Sequence, residues 1–377
     1  MRTSRRRFLQ SSGAVTLVTA AGVSGSPVDA QQSDHVSRTG DYTVTAADHG
    51  KTIGLGGNTL STLTFGASRG YGPSHVNVVV NDDAGRMKYV SVAGIPEAFR
   101  VYPRQTVTIR RLDDHWGVEH PGRWRLGGDV TVHASPTGRV GHDGLTPDST
   151  LPVAEALRRI KNDFDINGKL VVLQLADGTY GPLPQQAGHW TGSHQIEIHG
   201  NPRAVTSVQI AAGAGEIGLY VSDYARVIVR RVLFEGAPTA TLVRAEQEGI
   251  IGLADCAFKN GGTQIRSVNN GNIRFNAPCT FSGDCTAVLS AFSRGRIELG
   301  ATVYTVAPMK FQFFAGASIN SSIVVNPGAR FTGAGMTGSR GKRYEASAVS
   351  SIDTAGGGAN FFPGDVPGAV DRTSHYG

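Results

Sequence analysis

The sequence predicts an all-β protein: a small N-terminal antiparallel β domain, then a parallel β-helix with a capping helix at its N-terminal end. Three observations lead there. Glycine supplies 50 of 377 residues, about twice its usual ~7% share, as many short strands joined by turns require. From Tyr42 onward Val, Thr and Ile alternate with polar residues over short runs, the period-two pattern of half-buried strands. Beyond residue 166 the chain repeats, and the repeat outweighs any single motif.

The first thirty residues stand apart. Arg5 and Arg6 form a twin arginine after Ser4, and Phe8 and Leu9 follow at the motif's spacing. A mildly apolar segment runs from Gly13 to Val23, and Val28–Asp29–Ala30 offers a small-residue cleavage site ending at Ala30. This is the grammar of a twin-arginine signal peptide over 1–30. It implies the twin-arginine translocase as a partner during export, and the periplasm or extracellular space as destination. No cysteine follows the apolar segment, which argues against a lipoprotein, and no later apolar run reaches membrane-spanning length. The formal net charge is +6, of which the leader holds +3 (Arg2, Arg5, Arg6 and Arg7 against Asp29), so the remaining chain is +3. Its arginines are interspersed with acids, without the clustered basic face of a nucleic-acid binder.

Residues 31–40 read as a polar linker and 41–130 as the small β domain, ending near "DDHWGV" and "GRWRLGG". Trp116 and Trp124 there fit either a sugar-stacking platform or closure of the sandwich edge, the commoner fate of a large indole. In the connector 131–165, Val153, Ala156, Leu157 and Ile160 fall on one helical face. Thr150 is the expected N-cap and Pro152 suits the first turn. His142 and Asp143 read as an Asx-type turn rather than a metal site. The β-helix spans 166–335, and 336–377 is a separate C-terminal segment.

Aligning the repeats on their aromatics brings Phe234, Phe258, Phe281, Tyr304 and Phe331 together, at intervals of 24, 23, 23 and 27 residues. Two residues later stand Gly236, Asn260, Gly283, Val306 and Gly333, mostly types that tolerate a left-handed corner. Such coils stack at ~4.8 Å and share one core. The helix 151–163 is placed to cover the open N-terminal edge. Residues at equal positions then lie side by side. Arg231 is expected over Asp255 and Glu235 over Lys259, as opposite-charge ladder pairs. Cys256 and Cys279 become inward neighbours, whose parallel Cβ vectors favour two buried thiols over a disulfide, with Cys285 unpaired near a corner. One stack does not neutralise itself. Asp223 and Glu246 are one period apart, with Glu248 pointing the same way if the strand is regular. Closely spaced carboxylates are what a glycosidase uses as acid and nucleophile or base, so these three are the candidate catalytic residues. The competing reading pairs them with the nearby cations Arg226 and Arg244. Trp190, His189, Tyr220, Arg226 and Arg244 are the candidate substrate-binding residues, with His194 near the first two. No GxSxG, HExxH, P-loop or paired CxxC occurs, and neither metal nor cofactor is expected.

"GHDGLTPDSTLPVAEALRRI", "VVLQLADGTYG", "IEIHGNP" and the closing "RYEASAVSSIDTAGGGANFFPGDVPG" resemble prophage tail-fibre or tailspike-like proteins. These are right-handed parallel β-helices of the pectate lyase-like superfamily. "YTVTAADHGKTI" and "FRVYPRQTVTIRR" are similar to a small β domain carried ahead of such helices. The resemblance covers most of the chain after the leader. It implies binding of extracellular or cell-surface polysaccharide, often as a homotrimer. Some members cleave the glycan by hydrolysis or lyase chemistry, and others serve as shafts or adhesins. No catalytic motif of the family has a counterpart here, and phage tail proteins carry no export signal. The expectation is therefore an exported polysaccharide-binding protein, with a glycan-cleaving enzyme and a structural shaft as the alternatives.

Overall fold

Aliphatic residues at alternate positions set the architecture. Val227, Ile251, Ile273, Ile297, Ile323 and Ile352 start from different points in the chain. They lie in one register row, each at most 1% exposed. The computed structural model describes residues 35–377 except Asn58, Ala84, Glu97, His120, Pro121 and His194. The proposed leader lies outside the described residues.

The coils form a parallel β-solenoid of the right-handed type with three faces. Sheet I has ten strands, from Val130–Ala134 to His375–Tyr376. Sheet II has seven, from Gly178–Tyr180 to Arg330–Thr332, and sheet III eight, from Gln186–Ala187 to Ala369–Val370. Parallel stacking does not stop at residue 335. Arg340–Ser347 pairs with Lys310–Ser318, and Ser351–Asp353 with Ser322–Val325, so the C-terminal segment continues the same stack.

The corner from sheet III to sheet I is built the same way six times. Asp223–Tyr224, Gln247–Glu248, Asn269–Asn270, Ser293–Arg294, Ile319–Asn320 and Ala348–Val349 all have φ between 46° and 66°. Each pair is followed by a small residue: Ala225, Gly249, Gly271, Gly295, Ser321 or Ser350. At Gly271 a Cβ would collide with the Ala245 carbonyl oxygen of the preceding coil. Two left-handed residues turn the chain, and the small one lets the next coil close onto the last.

The aromatic ladder holds in part. Phe234 pairs with Phe258 and Phe258 with Phe281, their rings stacked at 5.6 and 5.4 Å. The alignment then slips, because Phe281 pairs with Val306 rather than Tyr304. A two-residue slip preserves facing, so Tyr304 still points inward, ring to ring with Phe275 and Phe331. Of the expected corner residues, Asn260, Gly283 and Gly333 are left-handed. Glu235 and Lys259 form the expected ladder ion pair at 2.9 Å. Arg231 and Asp255 are not an ion pair; both are left-handed residues, where the side chain leaves the pleat direction. Cys256 and Cys279 are adjacent, buried and free, and Cys285 is half-buried and free. Burial pushes the Cys279 thiol up and that of Cys285 up to about 12.

The N-terminal domain differs from the expectation of a purely antiparallel unit. Its first strands, His35–Thr39, Thr52–Gly56 and Val76–Asn81, pair in parallel, as do Tyr42–Val44, Thr62–Phe65 and Lys88–Val92. Only Phe99–Val101, Thr106–Leu112 and His115–Glu119 add antiparallel strands. Alternation reports which face a strand buries, not which way its neighbour runs. Trp116 is 5% exposed, packed on Phe65 and Tyr71, with its indole N–H donating to the Gly66 carbonyl. Trp124 stacks on Tyr102 and meets Phe164 edge-on. Both indoles therefore pack the interior and the domain junction.

Helix α1 (Val153–Asp163) buries Ala156, Leu157 and Ile160 against the first coils. Its N-cap is Pro152, not Thr150, whose hydroxyl is engaged with Ser135 instead. Arg159 is 1% exposed and bonds Glu155 and the carbonyls of His142 and Val140. Asp143 accepts from the Leu145 amide, an Asx-type turn, and pairs with Arg86 at 2.8 Å. Asp163 accepts from Arg100 and Tyr102, tying the N-terminal domain to the cap.

Truncating the middle ring of the ladder, Phe258→Ala, should cost about 3–5 kcal/mol in denaturant unfolding. Alkylation after unfolding without reductant should label all three cysteines; a mass showing a Cys256–Cys279 bond would contradict the stacked-thiol assignment.

Candidate functional site

Sheet III carries an outward-facing polar row. Alternation along Ile217–Ser222, Thr241–Ala245 and Thr263–Val268 buries Leu219, Val243 and Ile265 and turns Tyr220, Arg244 and Arg266 outward. These three and Ser290 are register partners on successive coils. The Arg244 guanidinium lies over the Tyr220 ring, 5.4 Å from its centroid.

Glu246 sits at the edge of this row. Its carboxylate accepts from the Tyr220 hydroxyl at 2.8 Å, Arg244 at 2.6 Å and the Asn269 amide at 2.7 Å. Burial pushes the carboxyl up, but those hydrogen bonds and the Arg244 cation outweigh it and hold the pKa below its ordinary 4.5. Glu246 is thus a fixed anion that orients a tyrosine, an arginine and an asparagine.

The structure places Asp223 and Glu246 in different rows. Val221 pairs with Ala245, so Glu246 lies in the row of Ser222, and Asp223 in that of Gln247. Asp223 accepts from the Ser222 hydroxyl at 2.8 Å, which itself receives a bond from Gln185. The two carboxylates therefore belong to separate networks. Glu248 is exposed on the second left-handed residue of the corner. The chain is no longer a strand there, so the alternation expected to align it with Glu246 does not apply.

Arg244 joins the site, whereas Arg226 is exposed at the start of a sheet I strand, around the corner. Trp190 is 2% exposed; it donates to the Arg226 carbonyl at 3.0 Å and lies beneath the Lys161 ammonium. That burial removes its ring from sugar stacking. His189 is exposed and stacks on Tyr224, their ring centroids 5.6 Å apart, near the N-terminal end of the same corner. His194 lies outside the described residues.

Arg266, Asn269 and Ser290 were not singled out by sequence. The signal was present, since Arg266 is 22 residues after Arg244, but it required a coil length shorter than the average. A second cluster was also missed. Alternation in "IEIH" puts Glu197 and His199 on the outer face of sheet I, where Glu197 accepts from Arg230 at 3.0 Å and bonds His199 at 2.7 Å. Burial raises the Glu197 pKa, and Arg230 and His199 bring it below its ordinary value.

No group of His, Cys, Asp and Glu suited to a metal ion occurs among the described residues, and no helix among them is long and apolar enough to cross a membrane. Comparison of the chain with family models, curated proteins and solved structures finds no match.

Because the Glu246 pKa is depressed on folding, its contribution to stability is present above about pH 4.5 and lost as pH falls through the lower folded value. Chemical unfolding of wild type and Glu246→Gln should differ at pH 7 and converge on acidification. A constant difference across that range would refute the assignment.

Proposed function

We propose that this β-solenoid protein binds a polysaccharide along the outer face of sheet III, outside the cytoplasm, after twin-arginine export. The observation that carries this reading is the row Tyr220–Arg244–Arg266–Ser290, one ring followed by planar and hydroxyl-bearing groups on successive coils. Rings and fixed hydrogen-bonding groups are what a sugar chain requires of a surface. A solenoid repeats them along its axis, as a linear polymer repeats its units. The exposed His189–Tyr224 ring pair extends the face at one end. The leader grammar and the family resemblance point the same way.

Binding without cleavage is favoured over glycosidase chemistry. A general acid needs its proton near neutral pH, and Glu246 is held ionised by three donors. Asp223, its expected partner, belongs to another network.

The test is incubation of the chain without its leader against a panel of bacterial and plant polysaccharides. At least one glycan should bind without new reducing or unsaturated ends, and Tyr220→Ala should weaken binding about tenfold, or about 1.4 kcal/mol. New ends would establish an enzyme, and if Asp223→Asn with Glu246→Gln left cleavage intact, the chemistry would lie elsewhere. Neither binding nor cleavage would favour a structural shaft or adhesin.

A further inference from the structure

Like charges at one position of a parallel stack sit one above the other at ~4.8 Å and repel. Opposite charges meet at several positions elsewhere on the solenoid, and the other like-charged register pair on sheet III, Lys310 with Arg340, is exposed. Glu235 meets Lys259 at 2.9 Å, Glu197 meets Arg230 at 3.0 Å, and Glu298 lies between Arg274 and Arg296 at 3.6 and 3.5 Å. The Arg244–Arg266 step on sheet III is different. The two arginines are direct register partners, and the local carboxylate, Glu246, pairs with Arg244 at 2.6 Å. Arg266 has no ion pair or hydrogen bond among the described residues, and the Nε atoms of both arginines are buried without a partner. Burial and the neighbouring Arg244 cation pull the Arg266 pKa down, with Glu246 as the opposing influence.

The rungs beyond Arg266 leave room. The next register partner is Ser290 and the one after it Gly316. The Phe313 ring occupies the space that a side chain at Gly316 would need. The row therefore runs from the Tyr220 ring through two guanidinium groups, a hydroxyl and a glycine beside a second ring to Glu345, which Lys342 pairs at 2.9 Å. The cationic rungs carry one more positive charge than negative, and the Nε donor of each arginine is unpaired.

We propose that Arg266, with Arg244 beside it, seats an anionic substituent of the glycan: a carboxylate, a sulfate ester or a phosphate ester on the sugar that lies over Ser290. A guanidinium presents a planar fork that matches such groups. The bound anion offsets the part of the Arg244–Arg266 repulsion that Glu246 leaves uncompensated. The proposal rests on the reading of sheet III as a glycan-binding face and narrows it to acid-bearing polymers.

The experiment compares the affinity of the chain without its leader for a uronic-acid polymer, a sulfated glycan, a phosphate-bearing glycan and the carboxyl-reduced form of the first, with sodium sulfate titrated separately by calorimetry. At least one charged polymer should bind tenfold or more tighter than the neutral one, and which of the three does so identifies the substituent. Arg266→Gln should abolish that preference, and Arg266→Lys should keep part of it. Removing the half-exposed like charge should leave the unfolding midpoint of Arg266→Gln unchanged or raised, which separates lost recognition from lost folding. Equal affinity for charged and neutral polymers, or a preference that survives Arg266→Gln, overturns the anion seat while leaving glycan binding in place. Sulfate binding that depends on Arg266, without affinity for any polymer, would support the seat and refute the glycan reading. Binding of neither sulfate nor polymer would refute both.

Discussion

Every feature of this molecule depends on one coil closing onto the next in register. The inward aliphatic and aromatic rows supply the driving force, since each coil has an apolar face that only its neighbours can cover. The corner between sheets III and I supplies the geometry. Two left-handed residues and a small third one recur on six coils, and the third sits close against the preceding coil's carbonyls. Several residues at this corner, among them Tyr224, Ile319 and Val349, are poorly suited to positive φ. Such a residue costs of order 1–3 kcal/mol where the surroundings over-determine it, so the stack imposes the corner on the residues rather than the reverse.

Register also decides which charges meet. Glu235 and Lys259 neutralise each other because their coils align, and Glu298 meets Arg274 for the same reason, while Arg296 reaches it from two residues earlier on the same strand. Along sheet III the same rule brings Arg244 and Arg266 together and leaves Glu246 to hold Tyr220, Arg244 and Asn269. The outer face is thus polarised by stacking itself. At the N-terminal end the edge is covered by α1 and by the N-terminal domain, joined through buried Arg159 and through Asp163.

The inward half of the pattern was readable from the chain. Phe234, Phe258 and Phe281 recur at nearly constant spacing, and side chains two apart on a strand face the same way, so Cys256 and Cys279 could be placed as buried neighbours. The outward half was less readable. Between register partners on sheet III the chain advances 24, 22, 24, 26 and 29 residues. A fixed period of 23 therefore misplaces Asp223 against Glu246 by one position and hides Arg266 above Arg244. A two-residue error, as at Tyr304, is harmless to burial because facing is preserved; a one-residue error moves a side chain to a different row.

By itself the sequence determined the class of fold, the buried face of most strands and the capping helix, because these follow from local periodicity and composition. Only the tertiary structure decided the parallel pairing of the first N-terminal strands, the burial of Trp190, the separation of Asp223 from Glu246 and the meeting of Arg244 with Arg266. Those depend on how many residues each corner and bulge consumes. That number is set by the closure of one coil on another, which leaves no periodic trace in the chain.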